Sequence, residues 1–247
     1  MSGHSKWANI KHRKGAQDAK RAKVFSRLVK EISIAVKEGG PDPETNPRLR
    51  LAMQNAKGVN MPKDNVDRAI SKASSEGDNL EAMTFEGYAP NGVAVFVECL
   101  SDNNNRTVSN VRAIFNKYGG SLGKNGSLSF VFDTKGVFAF NQPEGFDSEE
   151  FELEVIDAGA DEIELNDDFV TVYTAKEDFG SMQKKLEALG IELENASLQR
   201  IPVDTKEVEV EAALKVLKMI DAFEDDDDVQ NVYHNLELTE EVEAALS

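Results

Sequence analysis

The chain has 247 residues, 40% hydrophobic and 30% charged, with a formal net charge of −17, which is long enough for two or three domains and has the composition of a globular protein. Cys99 is the only cysteine, so an internal disulfide and a cysteine-based zinc site are excluded. No apolar run approaches the ~20 residues of a membrane span, and the N-terminus lacks the apolar core of a secretory signal, so a cytoplasmic protein is expected.

The charge is unevenly spread. The first thirty residues hold nine Lys or Arg against one acid, Asp18, a local net of +8, so the other 217 sum to −25. A cationic block on an acidic chain is a surface for polyanions, of which nucleic acid is the commonest. A transit peptide is the alternative for a basic N-terminus; the lysine-rich run that passes unbroken into the first helix argues against it.

Residues 1–15 lack periodicity and read as an arm, with Trp7 and Ile10 its large apolar groups. From about Ala16 to Lys37 a helix is predicted: Val24, Leu28, Ile32 and Val36 recur every fourth residue, widened by Phe25 and Val29. At 100° per residue Lys20, Lys23, Arg27 and Lys30 share a different face. Gly39-Gly40-Pro41 ends it. Asn46-Pro47 opens a second helix with Leu49, Ala52, Met53 and Ala56 inward. Met61-Pro62 starts a third, striped by Val66, Ala69, Ile70 and Ala73. Residues 1–78 thus form a basic helical domain with an N-terminal arm, at a net +7.

After a Ser/Gly/Asp linker the period changes to two. Thr84–Ala89 and Val93–Leu100 read as strands around the turn Pro90-Asn91-Gly92, with Cys99 a buried thiol in the second. A helix follows Asp102–Thr107, with Val108, Val111, Ile114 and Phe115 inward, and Ser127–Phe132 is predicted as a strand. This β-β-α-β set is one helix and one strand short of a closed sheet. Residues 135–201 read as a complete βαββαβ unit, capped at Asp147 and turned at Asn166-Asp167-Asp168. Lys206–Phe223 as helix and Val229–Leu236 as strand then supply what the earlier sheet lacks. The predicted fold is α+β with three domains: a three-helix domain (1–78), a discontinuous acidic α/β sandwich (79–133 plus 205–247), and a ferredoxin-like βαββαβ domain (134–204) inserted into it.

No set of residues points to catalysis. Gly119-Gly120-Ser121-Leu122-Gly123 fits the G-x-S-x-G pattern, but that nucleophile needs strand-turn-helix, and the order here is helix-turn-strand with only His234 to follow as a base. Gly123-Lys124 lacks the other positions of a phosphate-binding loop, since Tyr118 and Asn125 stand where glycine and Ser/Thr are required. The three histidines lie in no ligand spacing. Glu224–Asp228 reads as a solvated acidic loop, with a Mg²⁺ site as the sharper alternative. The expectation is a protein that is not an enzyme and holds no cofactor or metal.

Several long segments resemble the YebC/PmpR family. They are Met1–Lys23, Asn46-Pro47-Arg48-Leu49-Arg50, Asn60-Met61-Pro62-Lys63-Asp64, Glu86-Gly87-Tyr88, Asp102–Thr107, the Gly119–Ser127 loop and Asp228–His234. The resemblance covers essentially the whole chain and implies three α+β domains, the first helical. Bacterial members are described as transcriptional regulators that bind DNA. The related mitochondrial translational activator of cytochrome c oxidase acts in translation, and bacterial relatives look like factors that help ribosomes through proline runs. Carried over, His4 to Lys23 is the segment that faces nucleic acid.

The expected interface is therefore His4, Lys6, Trp7, Lys11, His12, Arg13, Lys14, Lys20, Arg21, Lys23, Arg27 and Lys30. The cations serve as phosphate contacts. Trp7 either stacks on an exposed base or pins the arm to the helices. Two targets stand open. One is duplex DNA bound by the basic head while the acidic domains contact protein. The other is ribosomal RNA on the ribosome, which a Lys/Arg arm with an aromatic suits through phosphates and unpaired bases. A protein–protein adaptor that binds no nucleic acid is the reading from another class. No membrane partner is expected, because the arm has little apolar bulk.

Overall fold

The computed structural model describes residues 17–75, 79–166 and 169–246. The described chain is mixed α/β, with two four-stranded sheets and eight α-helices among the described residues. It divides into two compact units. The first takes in described residues as far as Lys23 together with 79–133 and 201–246; the second takes in 24–75 and 134–200. No helix among the described residues is long and apolar enough to cross a membrane.

The second unit begins with helices α1 (Gln17–Gly39, whose first turns belong to the other unit), α2 (Pro47–Gly58) and α3 (Lys63–Ser75). The fourfold stripe packs as its spacing predicts. Ile32, Ala35 and Val36 of α1 meet Leu49, Ala52 and Ala56 of α2 and Val66 and Ala69 of α3, with Met61 between them. Asn46 joins the first two helices. Its Oδ1 accepts from the Leu49 N–H at 3.1 Å, which caps α2, while its Nδ2 donates to the Ala35 and Gly40 carbonyls at 2.7 and 2.8 Å. One buried amide thus satisfies orphan groups at the end of one helix and the start of the next. Gly39 makes the fit possible, since a Cβ there would lie 2.7 Å from the Asn46 side chain.

The rest of this unit is β4 (Phe132–Asn141), α5 (Ser148–Ile156), β5 (Ala160–Asn166), β6 (Phe169–Ala175), α6 (Phe179–Ala188) and β7 (Asn195–Pro202). The strand order β5-β6-β4-β7 is that of a split βαββαβ sheet. Phe138, Phe140, Val170 and Val172 pack against Phe151, Val155, Met182 and Leu186 of the helices. Asp147 caps α5 through the Glu149 and Glu150 N–H groups. Asn166 and Phe169 pair across the predicted turn, whose Asp167 and Asp168 lie outside the described residues.

Within the unit α2 lies along β7. Asn55 Nδ2 donates to the Ala196 carbonyl at 2.9 Å, and the Ala196 N–H donates to Asn55 Oδ1 at 2.8 Å. The side-chain amide thereby imitates a neighbouring strand at an open sheet edge. Gly58 comes so close that a Cβ would overlap the Glu194 carbonyl oxygen.

The first unit holds β1 (Glu81–Tyr88), β2 (Ala94–Ser101), α4 (Asn104–Lys117), β3 (Ser121–Leu122), α7 (Val210–Asp225), β8 (Val229–His234) and α8 (Glu240–Leu246). The order β3-β1-β2-β8 shows that the late strand closes the sheet, antiparallel to β2. Val95, Val97 and Cys99 of β2 face Val111 and Phe115 of α4 and Val216, Ile220 and Phe223 of α7. Ala94 and Phe96 line the opposite face with Leu128, Phe132 and Tyr233.

One predicted strand is overturned. Residues 126–131 are turns, and the strand that pairs with β1 is Ser121–Leu122. The cause is Glu86, a buried carboxylate on β1. It accepts from the Gly126 N–H at 2.7 Å and from the Leu128 N–H at 2.6 Å. Backbone donors committed to a carboxylate are not available to a strand ladder, so the segment wraps around the side chain instead. The Glu86-Gly87-Tyr88 segment is explained by the same geometry: a Cβ on Gly87 would lie 2.6 Å from the Phe115 ring and from the Ser121 carbonyl oxygen.

Candidate nucleic-acid interface

Helix α1 carries the described part of the expected interface. Of the twelve residues, His4, Lys6, Trp7, Lys11, His12, Arg13 and Lys14 lie outside the described residues, and Lys20 is described in its backbone alone. Arg21 is exposed, and Lys23, Arg27 and Lys30 are half-buried. On a helix of 3.6 residues per turn Lys20, Lys23, Arg27 and Lys30 fall within about 80° of one another. That face is separate from the one buried through Leu28, Ile32 and Ala35. Arg21 falls on the side of the apolar stripe, one turn before the packed part begins.

Lys23 has a protein partner. Its Nζ lies 2.5 Å from Asp225 Oδ1 and 3.0 Å from the Asp225 carbonyl oxygen, at the last residue of α7. A helix C-terminus carries partial negative charge on its free carbonyls, and a lysine placed there is doubly attracted. Both side chains are substantially exposed, so the pair is weak and screened by salt. Nothing in the spacing of Lys23 distinguishes it from Lys20 or Arg27; the pairing partner lies 202 residues away and is invisible to local periodicity.

Two further arginines of the helical segment, Arg48 and Arg50, are occupied in shaping it. Arg48 spans two acids of α1, with Nε 2.9 Å from Glu31 and Nη1 2.5 Å from Glu38. Burial acts to lower the Arg48 pKa, but the charges and hydrogen bonds of Glu31 and Glu38 together raise it. Arg50 donates to the Pro43 and Glu44 carbonyls at 3.1 and 3.0 Å, which fixes the loop between α1 and α2. The Asn46–Arg50 segment is therefore a structural device.

Two sequence decoys take their places in the first unit. Ser121 lies in β3 opposite Tyr88, and His234 lies in β8 opposite Val95. Three strand spacings of ~4.8 Å separate those rows, roughly 14 Å, too far for the two to act as nucleophile and base. The acidic run Glu224–Asp228 is not wholly solvated as its sequence predicts. Glu224 and Asp225 end α7, and Asp228 is buried. Arg106 donates from Nε and Nη2 to both Asp228 oxygens at 2.9–3.1 Å, and the Thr107 hydroxyl donates to Oδ2 at 2.9 Å. Asp228 and Asp102 hold the Arg106 guanidinium well above its ordinary pKa. Among the described residues no group of three or more His, Cys, Asp or Glu is arranged to hold a metal ion.

Comparison with known proteins covers nearly all of this architecture. The family described as TACO1/YebC protein N-terminal domain matches residues 5–76, and that described as TACO1/YebC second and third domain matches residues 80–236. A probable transcriptional regulatory protein of Amoebophilus asiaticus is 56% identical over 239 residues, 96% of this chain and 98% of that protein. One from Bacillus licheniformis is 52% identical over 96% of this chain and all of its own length. The crystal structure of a conserved hypothetical protein from Aquifex aeolicus superposes with a TM-score of 0.83 at 42% identity, covering 93% of this chain and 96% of that one. With both family descriptions matched in succession over residues 5–76 and 80–236, and more than half of all positions shared with the Amoebophilus asiaticus relative, this chain belongs to the TACO1/YebC family.

Proposed function

We propose that this chain is a non-enzymatic regulator of gene expression that binds nucleic acid through the arm and the cationic face of α1. The observation that carries the reading is charge segregation: residues 1–78 sum to +7 and residues 79–247 to −24. Lys20, Lys23, Arg27 and Lys30 share a side of α1 apart from its apolar stripe, the arrangement a phosphate surface uses. The names of the relatives, transcriptional regulatory proteins, support a regulator. Duplex DNA is the target those names favour.

Structured RNA on the ribosome is the second reading. It is favoured by the make-up of the arm, whose Lys and Arg residues suit phosphates and whose Trp7 offers a ring to an unpaired base. Competition at near-physiological salt separates the two. Labelled protein is offered purified ribosomes with an excess of duplex DNA. Retention on ribosomes makes it a translation factor, and transfer to the DNA makes it a transcription factor. Binding to neither removes the proposal and leaves a protein–protein adaptor.

A further inference from the structure

The loop around Glu86 presents a feature that the arm and α1 do not account for. Phe130 is 94% exposed, the most exposed of the large apolar side chains described. Its neighbours two places away, Leu128 and Phe132, are both buried against Ala94, Phe96 and Tyr233. In a strand all three would share a face; the turns through 126–131 put two inside and the third out. The loop is firmly held. Glu86 takes the Gly126 and Leu128 N–H groups, Gly123 N–H donates to the Glu86 carbonyl at 2.7 Å, and Val203 N–H donates to the Val131 carbonyl at 2.9 Å. A ring this exposed on a backbone this constrained loses little freedom when it meets a partner.

The surrounding charge says what kind of partner. Residues 103–132 contain Arg106, Arg112, Lys117 and Lys124 and no Asp or Glu, within a region whose net charge is −24. Arg106 is committed to Asp228 and Asp102. Arg112 and Lys117 lie on α4, which packs on the other face of the sheet; Lys124, on the same loop as Phe130, is exposed, and among the described residues it has no carboxylate partner. The other exposed residues of the loop are Gly, Ser, Asn and Lys124, and the exposed apolar side chain tied beside it is Val203, whose N–H binds the Val131 carbonyl, so Phe130 stands in largely polar surroundings. A protein pocket would call for contiguous apolar area. One aromatic face with an exposed lysine and serines on the same loop suits a base and its phosphate.

We infer that the 123–130 loop is a second nucleic-acid contact, at which Phe130 stacks on an unpaired base and Lys124 meets phosphate. It rests on the reading that the chain binds nucleic acid, and adds to it a preference for single strands or splayed-out bases. A base in an intact duplex does not offer its face.

The test uses the full chain, a labelled fifteen-nucleotide oligoadenylate RNA and a fifteen-base-pair duplex, with anisotropy read at 100 mM salt. Phe130→Ala weakens the oligoadenylate by roughly 5- to 150-fold, the range of one base stack, and leaves the duplex unchanged. Phe130→Trp restores binding and Phe130→Leu does not, since bulk without a π face cannot stack. Lys11→Ala with Lys14→Ala weakens both probes. The ring is exposed, so unchanged thermal midpoints are expected for all three Phe130 variants. Oligoadenylate binding by the wild type that Phe130→Ala leaves untouched overturns this inference alone. Failure of the wild type to bind either probe overturns it together with the proposed function.

Discussion

Arg106 and Asp228 stand 122 positions apart and meet in a two-pronged pair, with the guanidinium on both carboxylate oxygens at 2.9–3.1 Å. The whole βαββαβ segment lies between them in the chain. The pair ties the first turn of α4 to the start of β8, and Thr107 adds its hydroxyl from the next position. Asp228→Asn keeps the size and removes the charge. A cost of about 1–3 kcal/mol is expected, because a buried acceptor of charged donors is lost. Urea denaturation followed by circular dichroism measures it. Arg106→Lys is expected to destabilise as well, since a point charge cannot reproduce the fork; equal midpoints for Lys and Arg would show that charge alone matters.

Glu86 is expected to control the order of its loop. In Glu86→Gln one carboxylate oxygen becomes an NH2 that faces the Gly126 or Leu128 N–H, so an acceptor is replaced by a donor. The expected loss is about 1–3 kcal/mol, with faster hydrogen exchange at the Gly126 and Leu128 amides. Protection at Ile220, in the core on the other face of the sheet, should persist under the same conditions. Uniform loss of protection at all three sites would mean that Glu86 supports the whole unit rather than the loop.

Asn55 is expected to hold α2 on β7. Asn55→Ala leaves the Ala196 N–H and carbonyl without their partner, at a cost of about 1–3 kcal/mol. Asn55→Asp keeps the acceptor but sets a carboxylate against the Ala196 carbonyl oxygen, and should be at least as damaging. Chemical denaturation monitored at helix and sheet signals separately gives the answer. Wild-type curves that coincide and Asn55→Ala curves that part would show that this amide couples the two.

The cationic surface has a quantitative signature in salt. Lys11→Ala, Lys14→Ala and Lys20→Ala together should flatten the slope of log K against log salt by about three units at most on DNA, and weaken binding across sequences. The measurement is a salt titration of duplex affinity. An unchanged slope with all three removed places the phosphate contacts elsewhere.

Much of this fold was legible because its helices are amphipathic and their stops are chemical. Asn46-Pro47 and Gly39 announce a boundary that the Asn46 amide then makes. The late helix and strand at Val210–Asp225 and Val229–His234 could be assigned to the early sheet because that sheet lacked them. Ser127–Phe132 was misread for a physical reason: its apolar residues alternate as a strand's do, and the carboxylate that bends it sits forty positions upstream. Asp228 looked solvated because four acids precede it, and only its distant partners Arg106 and Thr107 make it part of the interior. The Lys23–Asp225 pair and the exposure of Phe130 were illegible for the same cause. Local pattern reports which side of an element is apolar, and long-range pairing decides what each side meets.

The place of β8 has a consequence for how the molecule comes into being. Strand β2 is buried along nearly its whole length and needs β8 on its open edge. Roughly 130 residues must be synthesised after Ser101 before Val229 exists, which at ~5–20 residues per second is roughly 6 to 25 s. Through that interval the growing chain carries an apolar strand with an unpaired edge, a template for any other extended chain nearby. The length of chain placed between β2 and β8 thus sets how long that edge stays open to aggregation.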